Sequence, residues 1–213
     1  MNKGTIIFDF DGTIADSFEV VLELFYEILG HERFTAQEIA AFRRMPVRKV
    51  IKDVGIPLRQ VPRLLVRGRT MMHQRMQEVR VFPGLHEALT ELHQNGWQLM
   101  VVSSNSQQNV AAYLKAHDLL ELFDQIHGNV GLFSKTQSLR KVIRQNKLDR
   151  DVCFYVGDEI RDVQAAAKAH VRCISVGWGY NDPSTLRTEK PFALAEKPAD
   201  LVEIFTAAAA PAN

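Results

Sequence analysis

Residues 6–17 read IIFDFDGTIADS. Ile6, Ile7 and Phe8 form an uninterrupted apolar run, the pattern of a strand buried on both faces. Asp9 and Asp11 follow, spaced so that an extended chain projects both to one side, and Gly12 then permits a tight turn. A carboxylate at the edge of a core is costly unless a cation, hydrogen bonds or a chemical task compensates it. The end of this strand is therefore where function is expected.

The pattern repeats downstream. After GTIIFDF (4–10) come WQLMVVS (97–103), a short edge strand at DQIHG (124–128), VCFYVG (152–157) and VRCISVG (171–177). Between them lie helical spacings: Leu85, Leu89 and Leu92 after Pro83, then Val110 and Leu114. Leu139, Val142 and Ile143 follow behind Ser134 as a candidate cap, and an Ala-rich stretch precedes residue 171. Strands alternating with helices, with continuous apolar strands, predict an α/β fold whose parallel sheet is covered on both faces. Residues 17–81 break the rhythm. They offer no strand, only helical patterns separated by Gly30, Pro46 and the GIP of 55–57, and read as an all-helical insertion. The expected core is then 1–16 with 82–205, and 206–213 (TAAAAPAN) reads as a frayed tail.

Composition narrows the class. Apolar residues make up 46% and charged residues 24% of 213, an ordinary globular balance. No apolar run is long enough to span a bilayer, and the first strand starts too early for a signal peptide, so a cytoplasmic protein without membrane association is expected. Cys153 and Cys173 sit in apolar stretches and read as reduced core residues. Net charge is +1, yet residues 31–80 hold twelve Lys/Arg against four Asp/Glu, a local +8 that leaves −7 elsewhere. Such a segment attracts polyanions, but its basic residues are not interleaved with aromatics as a single-strand platform requires. No nucleic-acid partner is expected, and polyanion binding is the remote alternative.

In open α/β sheets ligands bind beyond the carboxyl ends of the strands. The first strand ends in Asp9 and Asp11, the 97–103 strand in Ser104 and Asn105, and the 152–157 strand in Gly157-Asp158 with Asp162 following; Lys135 opens the helix before it. In this order, DFDGT (9–13), VVSSN (101–105), Lys135 and GDEIRD (157–162) resemble the four motifs of the haloacid dehalogenase-like superfamily in its phosphatase branch. The resemblance covers essentially the whole chain, and VGWGYNDPSTL (176–186) is similar to the phosphoglycolate-phosphatase-like subfamily. One departure is that Thr136, not Pro, follows Lys135; Lys115 and Lys141 are the competing lysines.

The resemblance implies a Rossmann-like core with a helical cap and a Mg²⁺-dependent phosphatase working through an aspartyl-phosphate. It implies that Asp9 is the nucleophile, Asp11 the general acid and base, and Lys135 a charge partner of Asp9 and the phosphate. Ser104, the amide of Asn105 and the turn at Gly12 would hold the transferring group, with Thr13 steadying that turn. Asp9, the Asp11 carbonyl and Asp158 would bind Mg²⁺, with Asp162 behind them orienting ligands or holding Lys135. A donor set of oxygen alone suits magnesium and not zinc. Asp11 favours phosphate esters over the halide and phosphonate substrates of relatives without a carboxylate there. A phosphoryl-transferring mutase of the same fold is the alternative activity.

The substrate is expected to be a small phosphorylated metabolite, and the protein a monomer or homodimer. In the insertion, Arg43, Arg44 and Arg48, or Arg67 beside Gly68, either form solvated helix faces or reach a second anionic group on the substrate. Trp178 and Tyr180 follow the last strand and either border the site mouth or, the favoured reading, form half-buried packing; His170 reads as a helix-end residue.

Overall fold

The computed structural model describes residues 3–208. Its main sheet has six parallel strands in the order β5-β4-β1-β6-β7-β8: β1 (Gly4–Phe8), β4 (Trp97–Val102), β5 (Gln125–His127), β6 (Cys153–Gly157), β7 (Arg172–Val176) and β8 (Ala193–Ala195). Ile6 of β1 stands opposite Leu99 of β4 and Phe154 of β6. Successive β1 side chains feed two separate cores. Ile6 and Phe8 pack with Leu85, Leu89 and Leu92 of α5 (Leu85–Gln94), Val110 and Leu114 of α6 (Gln107–Ala116), and Phe205 of α10 (Ala199–Ala208). Ile7 packs on the opposite face with Leu139, Val142 and Ile143 of α7 (Lys135–Gln145) and with Val163 and Ala166 of α8 (Ile160–Ala169). Two covered faces are why the strands carry no polar alternation.

The chain leaves the sheet after β1 and returns at α5. In between stand α1 (Phe18–Leu29), α2 (Ala36–Phe42), α3 (Val47–Asp53) and α4 (Val61–Arg75). Gly30 closes α1 in the left-handed conformation, and Thr35 with Glu38 forms a reciprocal capping box on α2. Both crossings are tied together by an antiparallel pair of two-residue strands, β2 (Ala15–Asp16) and β3 (Arg80–Val81). The second lies inside the stretch expected to hold no strand; two residues carry no readable periodicity. The short β8, after α9 (Pro183–Thr188), escapes sequence reading for the same reason.

Two further expectations change. Ser134 precedes α7 but makes no side-chain cap; its hydroxyl donates back to the Gly131 carbonyl at 3.0 Å. The expected frayed tail is helical through Ala208, because Phe205 is fully buried against Trp97 and Phe154, with ring centroids at 5.1 and 5.3 Å. The rest of that stretch, 209–213, lies outside the described residues. Among the described residues no helix is long and apolar enough to cross a membrane. With β4 and β6 flanking β1, the order in which strands are added reverses at β1, and its C-terminal end opens a crevice between diverging connections.

Candidate active site

Asp9 leaves β1 still bound to the sheet, its amide donating to the Val156 carbonyl at 2.8 Å. Its Oδ1 accepts from the Phe10 amide at 2.8 Å. Gly12, at φ +79°, turns the chain beneath Asp158, and a Cβ there would overlap the Asp158 carboxylate and meet Tyr180 Cδ1 at 2.5 Å. The next residue joins the two halves of the chain: Thr13 Oγ1 donates to Asp158 Oδ1 at 2.7 Å. The Tyr180 amide donates to Asp158 Oδ2, also at 2.7 Å. Lys135, the first residue of α7 and only 3% exposed, reaches across so that Nζ donates to Asp9 Oδ2 and Asp162 Oδ1, each at 2.5 Å. Asp162 is held in turn by the Glu159 amide on its Oδ2 at 3.0 Å, part of the capping box that starts α8.

Carboxylate oxygens of Asp9, Asp158 and Asp162 lie within 4.8 Å of one another, all buried. Burial pushes the Asp9 carboxyl up to about 6, an effect that Lys135 only partly offsets. Burial, followed by the charges of Glu159, Asp162 and Asp9, raises Asp158 well above the usual carboxylate range. For Lys135, burial opposes the ammonium, but Asp162 and Asp9 together outweigh it and hold the group above its ordinary value. Four buried acids (Asp9, Asp158, Glu159 and Asp162) thus face two cations, Lys135 and the partly buried Arg161, which pairs with Glu159. The deficit is two positive charges, and the available donors are hard oxygens. These residues fit a divalent cation.

A second group borders the first. Asp11 accepts from the Ser17 hydroxyl at 3.0 Å and from Asn105 Nδ2 at 3.3 and 3.2 Å on its two oxygens. Burial raises its carboxyl above the ordinary value. The Asn105 backbone amide, expected to face a phosphate oxygen, instead donates to Ser103 Oγ at 2.9 Å, because the fully buried Ser103 hydroxyl turns back on the loop. Ser104 borders a cavity of about 300 Å³ that Asp11, Asn105, Tyr180, Arg69 and Arg161 share.

The arginines are distributed differently from the expectation. Arg43 Nη2 donates to the Gly179 carbonyl at 2.7 Å, its guanidinium sits 5.4 Å from the Phe18 ring centroid, and its carbonyl accepts from Asn181 Nδ2. Arg44 pairs with Asp182 at 3.6 Å, and Arg48 stands 5.8 Å from the Phe133 ring centroid. None of the three borders the cavity, and Arg67 does not either, although Gly68 does. Arg69 takes that place: Nε donates to the Ser104 carbonyl at 2.6 Å and Nη2 to the Val130 carbonyl at 3.0 Å. Nothing in the sequence distinguishes it from the other basic residues of its segment.

Arg161 and Glu159 stand inside GDEIRD, but neither takes a role from the sequence alone. Tyr180 fills both expected places: it is half-buried with its ring 5.2 Å from that of Phe18, and it borders the cavity, its hydroxyl 2.9 Å from Ser17 Oγ. Trp178 does pack, against Phe82, with Nε1 donating to the Thr13 carbonyl at 3.1 Å. His170 ends α8 in the left-handed conformation, its amide donating to the Ala166 and Ala167 carbonyls.

A family model described as haloacid dehalogenase-like hydrolase matches residues 6–176. A phosphoglycolate phosphatase from Synechococcus elongatus is 31% identical over 204 residues, covering 94% of this chain and 96% of that one. The pyrophosphatase PpaX of Anoxybacillus flavithermus is 24% identical over 216 residues, covering 96% and 98%. Among solved structures, a haloacid dehalogenase-like family hydrolase from Streptococcus pneumoniae superposes with a TM-score of 0.78 at 20% identity, over 95% of this chain and 98% of that one.

Proposed function

The chain belongs to the haloacid dehalogenase-like hydrolase family, and from that premise we propose that it is a Mg²⁺-dependent phosphatase that hydrolyses a phosphomonoester through an aspartyl-phosphate on Asp9. One observation carries the reading: the Lys135 ammonium held between Asp9 and Asp162, with Asp158 alongside and Asp11 placed separately. The relatives named phosphoglycolate phosphatase and pyrophosphatase support phosphate chemistry. The residues to hold the ion are Asp9, the Asp11 carbonyl and Asp158, with Asp162 fixing Lys135. Bound there, the ion offsets repulsion between Asp9 and a phosphate group and stabilises charge on the transferring oxygens.

Asp9 attacks phosphorus, and the ester oxygen departs. Lys135 keeps Asp9 oriented and adds positive charge where negative charge builds. Asp11, with its carboxyl raised by burial and aimed by Ser17 and Asn105, gives the leaving alcohol its proton and then takes one from the water that cleaves the aspartyl-phosphate. Ser104 faces the transferring group from the cavity wall. Residues 17–81 act as a cap over the core of 1–16 and 82–205, moving about the β2–β3 pair and shutting out water.

Phosphate release from a panel of phosphorylated metabolites in Mg²⁺, with Asp9→Asn alongside, tests this. Turnover that depends on the metal and falls at least about 10³-fold in the variant is expected; full turnover in Asp9→Asn refutes the nucleophile.

A further inference from the structure

The cavity beside Asp11 is chemically divided. Its charged lining is Asp11, Glu159, Arg69 and Arg161, with Ser104, Asn105 and Tyr180 as the polar groups. The remainder is hydrocarbon supplied by the insertion: Val21, Phe25 and Ile28 of α1, Ile51 of α3, and Leu64 and Leu65 of α4. All six are half-buried, and all but Val21 belong to neither core of the sheet. Phe25 also meets Tyr26, His31 and Phe34 within the insertion, yet about 300 Å³ beside these side chains stays open, at the lower end of small-molecule sites, roughly 300–1,000 Å³.

Among the described residues two arginines border that space. Arg161 pairs with Glu159, and Arg69 is anchored by the neutral Ser104 and Val130 carbonyls; Arg43, Arg44, Arg48 and Arg67 do not border it.

We propose that the alcohol portion of the substrate is apolar, an alkyl or aryl group seated among α1, α3 and α4. The inference rests on the phosphatase reading. Its occupant follows from continuity: the hydrocarbon wall opens onto Asp11, the residue placed to protonate the departing alcohol. The reaction is hydrolysis: the P–O ester bond breaks and the alcohol leaves with a proton, then water attacks the phosphorus of the aspartyl-phosphate, its oxygen departing in inorganic phosphate as Asp9 returns to carboxylate.

The test is a series of methyl, propyl, hexyl and phenyl phosphates with 2-phosphoglycolate, together with calorimetric binding of methylphosphonate and hexylphosphonate in Mg²⁺. kcat/KM is expected to rise about fourfold per methylene, with hexyl phosphate above phosphoglycolate, and hexylphosphonate is expected to bind at least about 100-fold tighter than methylphosphonate. Ile51→Asn and Leu64→Asn should each pull the hexyl-to-methyl ratio toward one. A flat series, preference for phosphoglycolate, or equal binding of the two phosphonates overturns the inference; equal binding with self-association of the protein would assign the face to a second copy. Graded phosphonate binding without phosphate release from any ester would sink the phosphatase reading and leave the apolar seat standing.

Discussion

Lys135→Met keeps an unbranched apolar stem and removes the charge that bridges Asp9 and Asp162. The ammonium is 3% exposed and makes two 2.5 Å contacts with carboxylates that are themselves almost fully buried. Taking one partner from a buried ionic cluster costs about 3–5 kcal/mol, because the partners left behind are desolvated and unpaired. For a chain of this size each kcal/mol moves Tm by roughly 2–4 °C, so the metal-free variant should melt about 6–20 °C lower at pH 7.5. The sign of the pH dependence follows from Asp9, whose carboxyl is raised by burial to about 6. A raised carboxyl stabilises the fold while protonated and loses that contribution as pH climbs through its folded value. Lys135 holds that value down, so in its absence the stranded acid takes up a proton at still higher pH, and the deficit should shrink as pH is lowered toward 6. Adding Asp162→Asn removes one stranded charge and should return part of the loss, a coupling of about 0.5–3 kcal/mol. Thermal unfolding followed by circular dichroism in EDTA reads all of this. A Lys135→Met protein melting within about 2 °C of the parent, or a double variant no more stable than the single, would refute the buried bridge.

Gly12→Ala forces a side chain into left-handed backbone against the Asp158 carboxylate and Tyr180; a stability loss of about 1–3 kcal/mol and a fall in phosphate release well beyond tenfold are expected, from denaturant melts and steady-state kinetics. Arg44→Ala and Arg48→Ala touch side chains that do not border the cavity, so KM for the best substrate should stay within about twofold, consistent with exposed contacts of small energy. Burial pushes the Cys153 thiol up to about 12 and raises Cys173 in the same direction, so neither should react with a thiol-specific disulfide reagent at pH 8 until denaturant is added; rapid labelling of native protein would contradict their burial.

The candidate site was legible because its parts are local. DFDGT, Lys135 and GDEIRD each end or begin an element whose own periodicity is visible, and the sheet order then brings them together. Features made by packing across long separations were not legible. Arg69 and Arg48 are alike as residues; α4 happens to carry one over the loop after β4, while the other meets Phe133. Tyr180 reads as one more aromatic until its amide is found on Asp158. The Asn105 amide is a local exception: it donates to the Ser103 hydroxyl two residues away, a contact that apolar periodicity does not signal.

What the linear chain determined by itself was the parallel α/β sheet, the helical insertion and the acids at the strand ends, because apolar periodicity and turn residues act over a few positions. Only the tertiary structure decided which cations meet those acids and that the insertion presents mostly hydrocarbon, with the one charge of Arg69, to the site. Charge pairing and cavity lining depend on distances between residues remote in sequence, and a local pattern carries no information about those distances.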